Sequence, residues 1–223
     1  MIWLKEDFDI NSNKLVIAFG SHHVGSLIEN KFEWGNMLND ISSIMNFKKL
    51  IIRDLNCSWW QTSFEEMSEY GPHILANFLT KKIRESGAKK VLAIGASMGG
   101  YGSILFGCLC KLDLVISISA QTYFSKSCYR KYKLNKKFKG FYINKKETDL
   151  KIILDRYENN HTNFHIYFGE NNKEDLNYSN RISNCAGVTL FPVKSARHDL
   201  VKEMKTSGML KTIILDFICE KDI

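Results

Sequence analysis

The most informative stretch of the chain is Val91-Leu-Ala-Ile-Gly95-Ala-Ser97-Met-Gly99-Gly100-Tyr-Gly102. It reads as a buried strand that runs into Gly-x-Ser-x-Gly and then into an apolar helix. Such a sharp strand-to-helix turn needs small flanking residues, and it lifts the serine oxygen clear of the backbone at the helix N-terminus. The stretch therefore indicates a nucleophile at Ser97, and a glycine-rich turn that only packs a helix onto a sheet is the alternative. A phosphate-binding loop is excluded, because no Lys-Ser/Thr pair follows the glycines.

Outward from this turn, short apolar segments alternate with segments of helical spacing. The apolar segments predict strands at Leu15–Phe19, Leu50–Ile52, Val91–Ile94, Leu114–Ile118, Phe164–Phe168 and Val188–Phe191. The helical spacing predicts helices at His73–Arg84, Gly99–Leu109, Leu150–Tyr157 and Met209–Ile218. This alternation predicts an α/β fold with a mostly parallel central sheet, helices on both faces and ligands at the carboxyl ends of the strands.

Length and composition favour one domain over residues 1–223. The chain is 44% hydrophobic and 25% charged, which is ordinary for a globular protein and excludes disordered, collagen-like and coiled-coil chains. Six cysteines without a Cys-x-x-Cys pair indicate reduced thiols rather than a disulfide framework or a zinc site. Acids near the N-terminus and the lack of a long apolar stretch lead us to expect a cytoplasmic protein with no membrane span.

The positive charge of the chain is concentrated in one segment. The formal net charge is +7, and nine Lys and Arg residues with no acid lie between Lys126 and Lys146. This region, about residues 124–146, shows no clear period, so we predict a small basic lid or excursion over the active end of the sheet. Lys136, Lys137 and Lys139 are its candidate anion-binding residues, and a solvated surface is the alternative.

The order of the chain selects the partners of Ser97. In this architecture an acid and then a histidine follow the serine, each after a later strand. Of the six histidines, only His198 follows the last predicted strand. The loop after Phe168 offers Glu170, Glu174 and Asp175, and Asp175 is favoured because it opens the next apolar-periodic stretch. A helix cap without a catalytic role is the alternative for Asp175.

Two further groups of residues are predicted at the same end of the sheet. The oxyanion of an acyl-transfer reaction needs two backbone donors, for which we expect the amide of Met98 and that of Ser21 or His22. Aromatic side chains follow the first two predicted strands, where Trp34, Trp59 and Trp60 could stack on a sugar or an acyl donor. Core packing is the alternative for each tryptophan.

With these residues identified, the chain from about Leu15 to Phe217 resembles the α/β-hydrolase superfamily. It is similar, more narrowly, to a bacterial branch that includes capsular-polysaccharide O-acetyltransferases with a Ser-Asp-His triad. The narrower resemblance rests on the motifs Phe32-Glu-Trp34, Ile52-Arg-Asp54, Ser58-Trp59-Trp60, Gly95–Gly102, Ser119-Ala-Gln121-Thr-Tyr-Phe124, Tyr167-Phe-Gly169 through Asp175, and His198.

The resemblance implies a serine-nucleophile acyltransferase that passes an acetyl group from acetyl-CoA, through an acetyl-serine, to a bacterial capsular or surface polysaccharide. Anionic glycans are among the candidate acceptors, and neither a nucleic-acid partner, a metal nor a bound cofactor is expected. Two alternatives stay open. One is a carboxylesterase of the same fold that uses water as the acceptor, and the other is a hydrolase-fold interaction protein without catalysis.

Overall fold

The structure is a computed structural model that describes residues 3–22, 32–61, 71–124, 130, 148–157 and 161–220. Its seven strands are β1 (Leu4–Asp7), β2 (Lys14–Phe19), β3 (Lys48–Ile52), β4 (Lys90–Ala96), β5 (Leu114–Ile118), β6 (Asn163–Gly169) and β7 (Val188–Val193). The helices of these residues are α1 (Gly35–Ser42), α2 (Pro72–Ser86), α3 (Met98–Cys110), α4 (Leu150–Arg156), α5 (Lys173–Asn180), α6 (Val201–Thr206) and α7 (Met209–Cys219).

All seven strands form one sheet in the order β1-β3-β2-β4-β5-β6-β7. Strand β1 pairs antiparallel with β3, and every other pair is parallel. The sequence predicted the six parallel strands to within about two residues at each end. It did not predict β1, whose sequence Leu-Lys-Glu-Asp has neither the apolar run nor the β-branched residues that mark a strand.

Helices cover both faces of this sheet, as the alternating pattern predicted. Strand β2 is fully buried, and successive side chains of a strand point to opposite faces. Ile17 and Phe19 accordingly pack in a core with residues of α2, α3 and α4. Val16 and Ala18 pack in the opposite core with residues of α1, α6 and α7. The short helices α1 and α6 were not predicted, since eight and six residues give too few turns for a clear helical period.

The parallel strands bring distant loops to one edge of the sheet. Strands β2, β4, β5, β6 and β7 run in the same direction, so the loops that leave their carboxyl ends lie together. The predicted basic excursion at 124–146 would lie at this edge, but of its residues the structure describes Phe124 and Arg130 alone. Among the described helices, none has both the length and the apolar character that crossing a membrane requires.

Candidate active site

Ser97 lies at the turn between β4 and α3 in a conformation that few residues other than glycine adopt. Its φ is 51° and its ψ is −115°, and backbone strain of this kind concentrates at functional sites. The Ser97 amide donates to the Ile118 carbonyl at 2.8 Å, and the Ser97 carbonyl accepts from the Tyr101 amide at 3.0 Å. These bonds hold the strained turn between two neighbouring elements of the fold.

The glycines of the turn are required by close packing of the backbone. A methyl group added at Gly95 would lie 2.1 Å from the Gly99 carbonyl oxygen. One added at Gly99 would lie 2.2 Å from the Phe19 carbonyl oxygen, at the end of β2. Neither position has room for a side chain, so both glycines let α3 begin directly against the sheet.

The structure places His198 within hydrogen-bonding distance of both Ser97 and Asp175. His198 Nε2 lies 3.0 Å from Ser97 Oγ, and His198 Nδ1 lies 2.8 Å from Asp175 Oδ1. Because a carboxylate accepts hydrogen bonds, Nδ1 carries the proton, and Nε2 is left to accept from the serine hydroxyl. This is the geometry in which a histidine can act as general base toward a serine.

Two loops that lie side by side position the acid and the histidine. Gly169 ends β6. Two residues later, the Asn171 amide donates to the Ser195 carbonyl at 3.0 Å. A methyl group at Gly169 would lie 2.8 Å from that same carbonyl oxygen. In the histidine loop, Ser195 Oγ accepts from the Arg197 amide at 3.1 Å. The fixed turn before His198 thus rests against the loop that leads to Asp175.

Helix α5 buries Asp175 and leaves Glu170 and Glu174, the other two candidate acids, exposed. Asn172 caps this helix, its side chain accepting from the amides of Glu174 and Asp175. Asp175 is 1% exposed, whereas Glu170 and Glu174 are exposed. Among the three candidates from the sequence, Asp175 is the one whose carboxylate contacts His198 in the structure.

The predicted oxyanion donors have different surroundings. Met98 is the first residue of α3, where backbone amides have no acceptor within the helix. The Ser21 amide, by contrast, donates to Glu33 Oε2 at 2.7 Å, and Ser21 Oγ lies 3.0 Å from Glu33 Oε1. The prediction of the Ser21 amide as an oxyanion donor is therefore corrected, because this amide already donates to the carboxylate of Glu33, which lies two residues before α1. The His22 amide stays the other predicted donor.

The three tryptophans predicted to bind substrate are buried, with exposures of 1%, 0% and 1% for Trp34, Trp59 and Trp60. Trp34 Nε1 donates to the Phe19 carbonyl at 2.9 Å, and Trp60 Nε1 donates to the Met98 carbonyl at 2.9 Å. In place of an aromatic binding surface, the structure shows indoles that pack in the core and brace the backbone beside Ser97. Because the rings are large and apolar, they are buried in the core although they follow the ends of strands.

Sequence reasoning did not predict the roles of Glu33 and Gln121, whose side chains contact predicted site residues. Gln121 follows β5, and its Nε2 lies 3.3 Å from Ser97 Oγ and 3.4 Å from His198 Nε2. Both residues belong to motifs that carried the family resemblance. Their spacing along the chain, however, does not indicate that Gln121 contacts Ser97 or that Glu33 contacts Ser21.

A cavity of about 230 Å³ opens beside Ser97. Its lining includes Ser21, Glu33, Ala96, Ser97, His198 and Asp199. A space of this size accommodates a small acyl group, and His198, whose side chain is 38% exposed, can be reached by an acceptor from solvent. Lys136, Lys137 and Lys139 lie outside the described residues. Within those residues, no three side chains of the kinds that bind metals converge.

No family model matches the sequence, and no curated protein matches it. Solved structures, however, are similar over almost the whole chain. A carboxylesterase of Nitrososphaera gargenis has a TM-score of 0.62 and 12% identity, with 96% of this chain and 94% of that one covered. The capsule O-acetyltransferase of Neisseria meningitidis serogroup A has a TM-score of 0.61 and 15% identity, with 95% and 90% covered.

A fluorophosphonate-binding serine hydrolase of Staphylococcus aureus is similar as well, with a TM-score of 0.60, 13% identity, and coverage of 94% of this chain and 84% of that one. At these identities the likeness establishes the fold. The chain has the α/β-hydrolase fold, which confirms the fold class predicted from the sequence.

Proposed function

We propose that this α/β-hydrolase-fold protein is a serine acyltransferase that moves an acetyl group from acetyl-CoA to a hydroxyl of a bacterial capsular or surface polysaccharide. The observation that carries the proposal is the hydrogen-bonded series Ser97–His198–Asp175 at a strained turn. A vestigial triad in an interaction protein would have no reason to retain this strain together with both hydrogen bonds.

The first half-reaction forms an acetyl-serine. His198 Nε2 takes the proton of Ser97 Oγ as the oxygen attacks the thioester carbonyl carbon, and the Met98 amide with that of His22 stabilises the oxyanion. The carbon–sulfur bond then breaks, and coenzyme A leaves as a thiol with the proton from His198. A mutant of the meningococcal capsule O-acetyltransferase, a structural neighbour, has been solved in complex with CoA, which supports this choice of donor. In the cytoplasm the protein would have access to acetyl-CoA.

The second half-reaction returns the enzyme to its starting state. A sugar hydroxyl gives its proton to His198 Nε2 and attacks the acetyl carbon, and Ser97 Oγ leaves with that proton. Water in place of the sugar would make the protein a carboxylesterase. That second candidate is favoured by the carboxylesterase neighbour and by the solvent exposure of His198.

One assay tests both candidates. Radiolabelled acetyl-CoA is incubated with capsule fragments, and transfer to glycan and release as acetate are counted in the same tube. An acyltransferase labels glycan faster than it releases acetate, and the reverse result selects the esterase. Ser97→Ala should lower either activity by about 10⁴-fold or more while the thermal midpoint stays unchanged. A purified Ser97→Ala protein that keeps a tenth of the activity would rule out the covalent mechanism.

A further inference from the structure

Gln121 contacts two residues of the proposed triad, Ser97 and His198, without being a member of it. Its side chain is buried, at 4% exposure, and its Nε2 lies 3.3 Å from Ser97 Oγ and 3.4 Å from His198 Nε2. An amide that only filled space in a core would have no need to face the nucleophile and the base together.

The orientation of this amide is fixed by Trp59. Trp59 Nε1 donates to Gln121 Oε1 at 3.3 Å, and an indole nitrogen can donate but cannot accept. The oxygen of the Gln121 amide must therefore face Trp59. Its NH₂ group, which only donates, must then face Ser97 and His198.

The loop that carries Trp59 is itself held in a strained shape. Cys57, Trp59 and Trp60 have φ values of 47°, 53° and 64°. The buried Asp54 carboxylate accepts from the Ser58 amide at 2.7 Å and from the Trp60 amide at 2.9 Å, on either side of Trp59. Burial raises the pKa of Asp54, and the hydrogen bonds from these amides oppose that rise. Such strain persists only where the surrounding contacts enforce it.

The backbone of Gln121 is held as firmly. Ser119 has a φ of 47°, and its amide donates to the Tyr167 carbonyl at 2.8 Å. Thr122 Oγ1 donates to the Tyr178 carbonyl at 2.9 Å. The chain on both sides of Gln121 is thus tied to β6 and α5, the elements that lead to Asp175.

We propose that Gln121 is a catalytic residue whose amide donates to Ser97 Oγ as the serine loses its proton, and that Trp59 is the positioning residue that aims it. This inference rests on the proposed serine mechanism. When the proton passes to His198, Nε2 no longer accepts, and the negative charge on Oγ becomes the stronger acceptor for the amide. Hydrogen bonds to charged groups are stronger than those to neutral ones, so Gln121 stabilises the reacting oxygen more than the resting one.

The experiment measures the reactivity of Ser97 without any natural substrate. Diisopropyl fluorophosphate forms an Oγ–phosphorus bond, the phosphorus–fluorine bond breaks, fluoride leaves, and the serine proton passes to His198. The second-order rate constant of this labelling reports the reactivity of Ser97 without a thioester donor or a sugar acceptor. Gln121→Met keeps the size of the side chain and removes the donor, and we expect the rate constant to fall about 10- to 100-fold.

Gln61 provides the matched control. It is also a buried glutamine, at 1% exposure, and its Nε2 donates to the Trp59 carbonyl and to Tyr101 Oη, each at 3.1 Å. Gln61→Met should lower the thermal midpoint about as much as Gln121→Met, yet change the labelling rate less than about threefold. Trp59→Phe keeps an aromatic ring but loses the indole donor, and we expect an intermediate loss of about 3- to 10-fold.

The outcomes separate the two proposals. A wild-type protein that is not labelled at Ser97 would overturn the serine mechanism together with this inference. Labelling of wild type and Gln121→Met at equal rates would overturn the inference and leave the mechanism standing, as would an equal loss in Gln61→Met. If Gln121→Met does not fold, Gln121→Glu preserves the shape and the acceptor for Trp59, and it should show at least as large a loss of reactivity, because it removes the donor and places a carboxylate beside the forming alkoxide.

Discussion

At the scale of single residues, the proposed triad depends on which carboxylate faces His198. Asp175 Oδ1 lies 2.8 Å from His198 Nδ1, and burial of Asp175 shields this contact from water. A carboxylate here holds the imidazole in the tautomer that leaves Nε2 free to accept the serine proton. An asparagine in the same place would offer no charge to stabilise the imidazolium.

Asp175→Asn should therefore lower turnover of p-nitrophenyl acetate by at least about 100-fold without a large loss of stability. Glu170→Gln and Glu174→Gln are matched controls, because Glu170 lies just before α5, Glu174 lies beside Asp175 in its first turn, and both are exposed. They should change the rate by less than about threefold, since surface substitutions away from the site are usually near neutral. A larger loss in either glutamine variant would show that the acid has been misassigned.

At the scale of elements, the turn between β4 and α3 depends on the contact between Gly99 and the end of β2. A methyl group at Gly99 would lie 2.2 Å from the Phe19 carbonyl oxygen, so Gly99→Ala must displace α3 from the sheet. We expect a loss of about 1 to 3 kcal/mol in the free energy of unfolding. We also expect the folded variant to lose activity, because the displacement of α3 moves Ser97.

Gly35→Ala is the control for this substitution. Gly35 is the first residue of α1, and the nearest atom to an added methyl group would be Phe32 Cβ at 3.7 Å, an ordinary contact distance. Alanine is favoured over glycine in helices, so Gly35→Ala should be neutral or slightly stabilising. Urea denaturation of both variants measures the difference. A Gly99→Ala protein as stable and active as wild type would contradict the packing argument.

At the scale of the whole molecule, the net charge of +7 comes largely from the segment that includes Lys136, Lys137 and Lys139. Contacts between these lysines and the phosphates of acetyl-CoA or an anionic glycan would weaken with salt, as the Debye length falls from about 10 Å at 0.1 M to about 3 Å at 1 M. Replacing all three by Gln should raise KM for acetyl-CoA and flatten its dependence on salt.

The same triple variant should hydrolyse p-nitrophenyl acetate at the wild-type rate, since a small neutral ester needs no charged contact. Replacement of the three lysines by Arg keeps the charge and should keep KM near the wild-type value. An equal fall in both activities would mean that the segment supports the fold. An unchanged KM for every anionic substrate would mean that these lysines form a solvated surface without a role in binding.

The amino-acid sequence alone determined the six parallel strands and their order along the chain, the turn at Ser97 and the candidates His198 and Asp175. Local patterns suffice for these, because a parallel sheet brings the loops after successive strands to one edge and the chain order then limits the partners. The tertiary structure decided which side chains from separate loops contact one another. Trp59 and Gln121 are 62 positions apart, and nothing local to either residue indicates that their side chains touch.

The same holds for the Ser21 amide, which Glu33 occupies, and for the tryptophans, which turn into the core instead of toward a ligand. A period or a motif describes one segment and the face it presents. The direction of a side chain in a loop depends instead on which other loops the fold packs against it, and that information is spread over the whole chain.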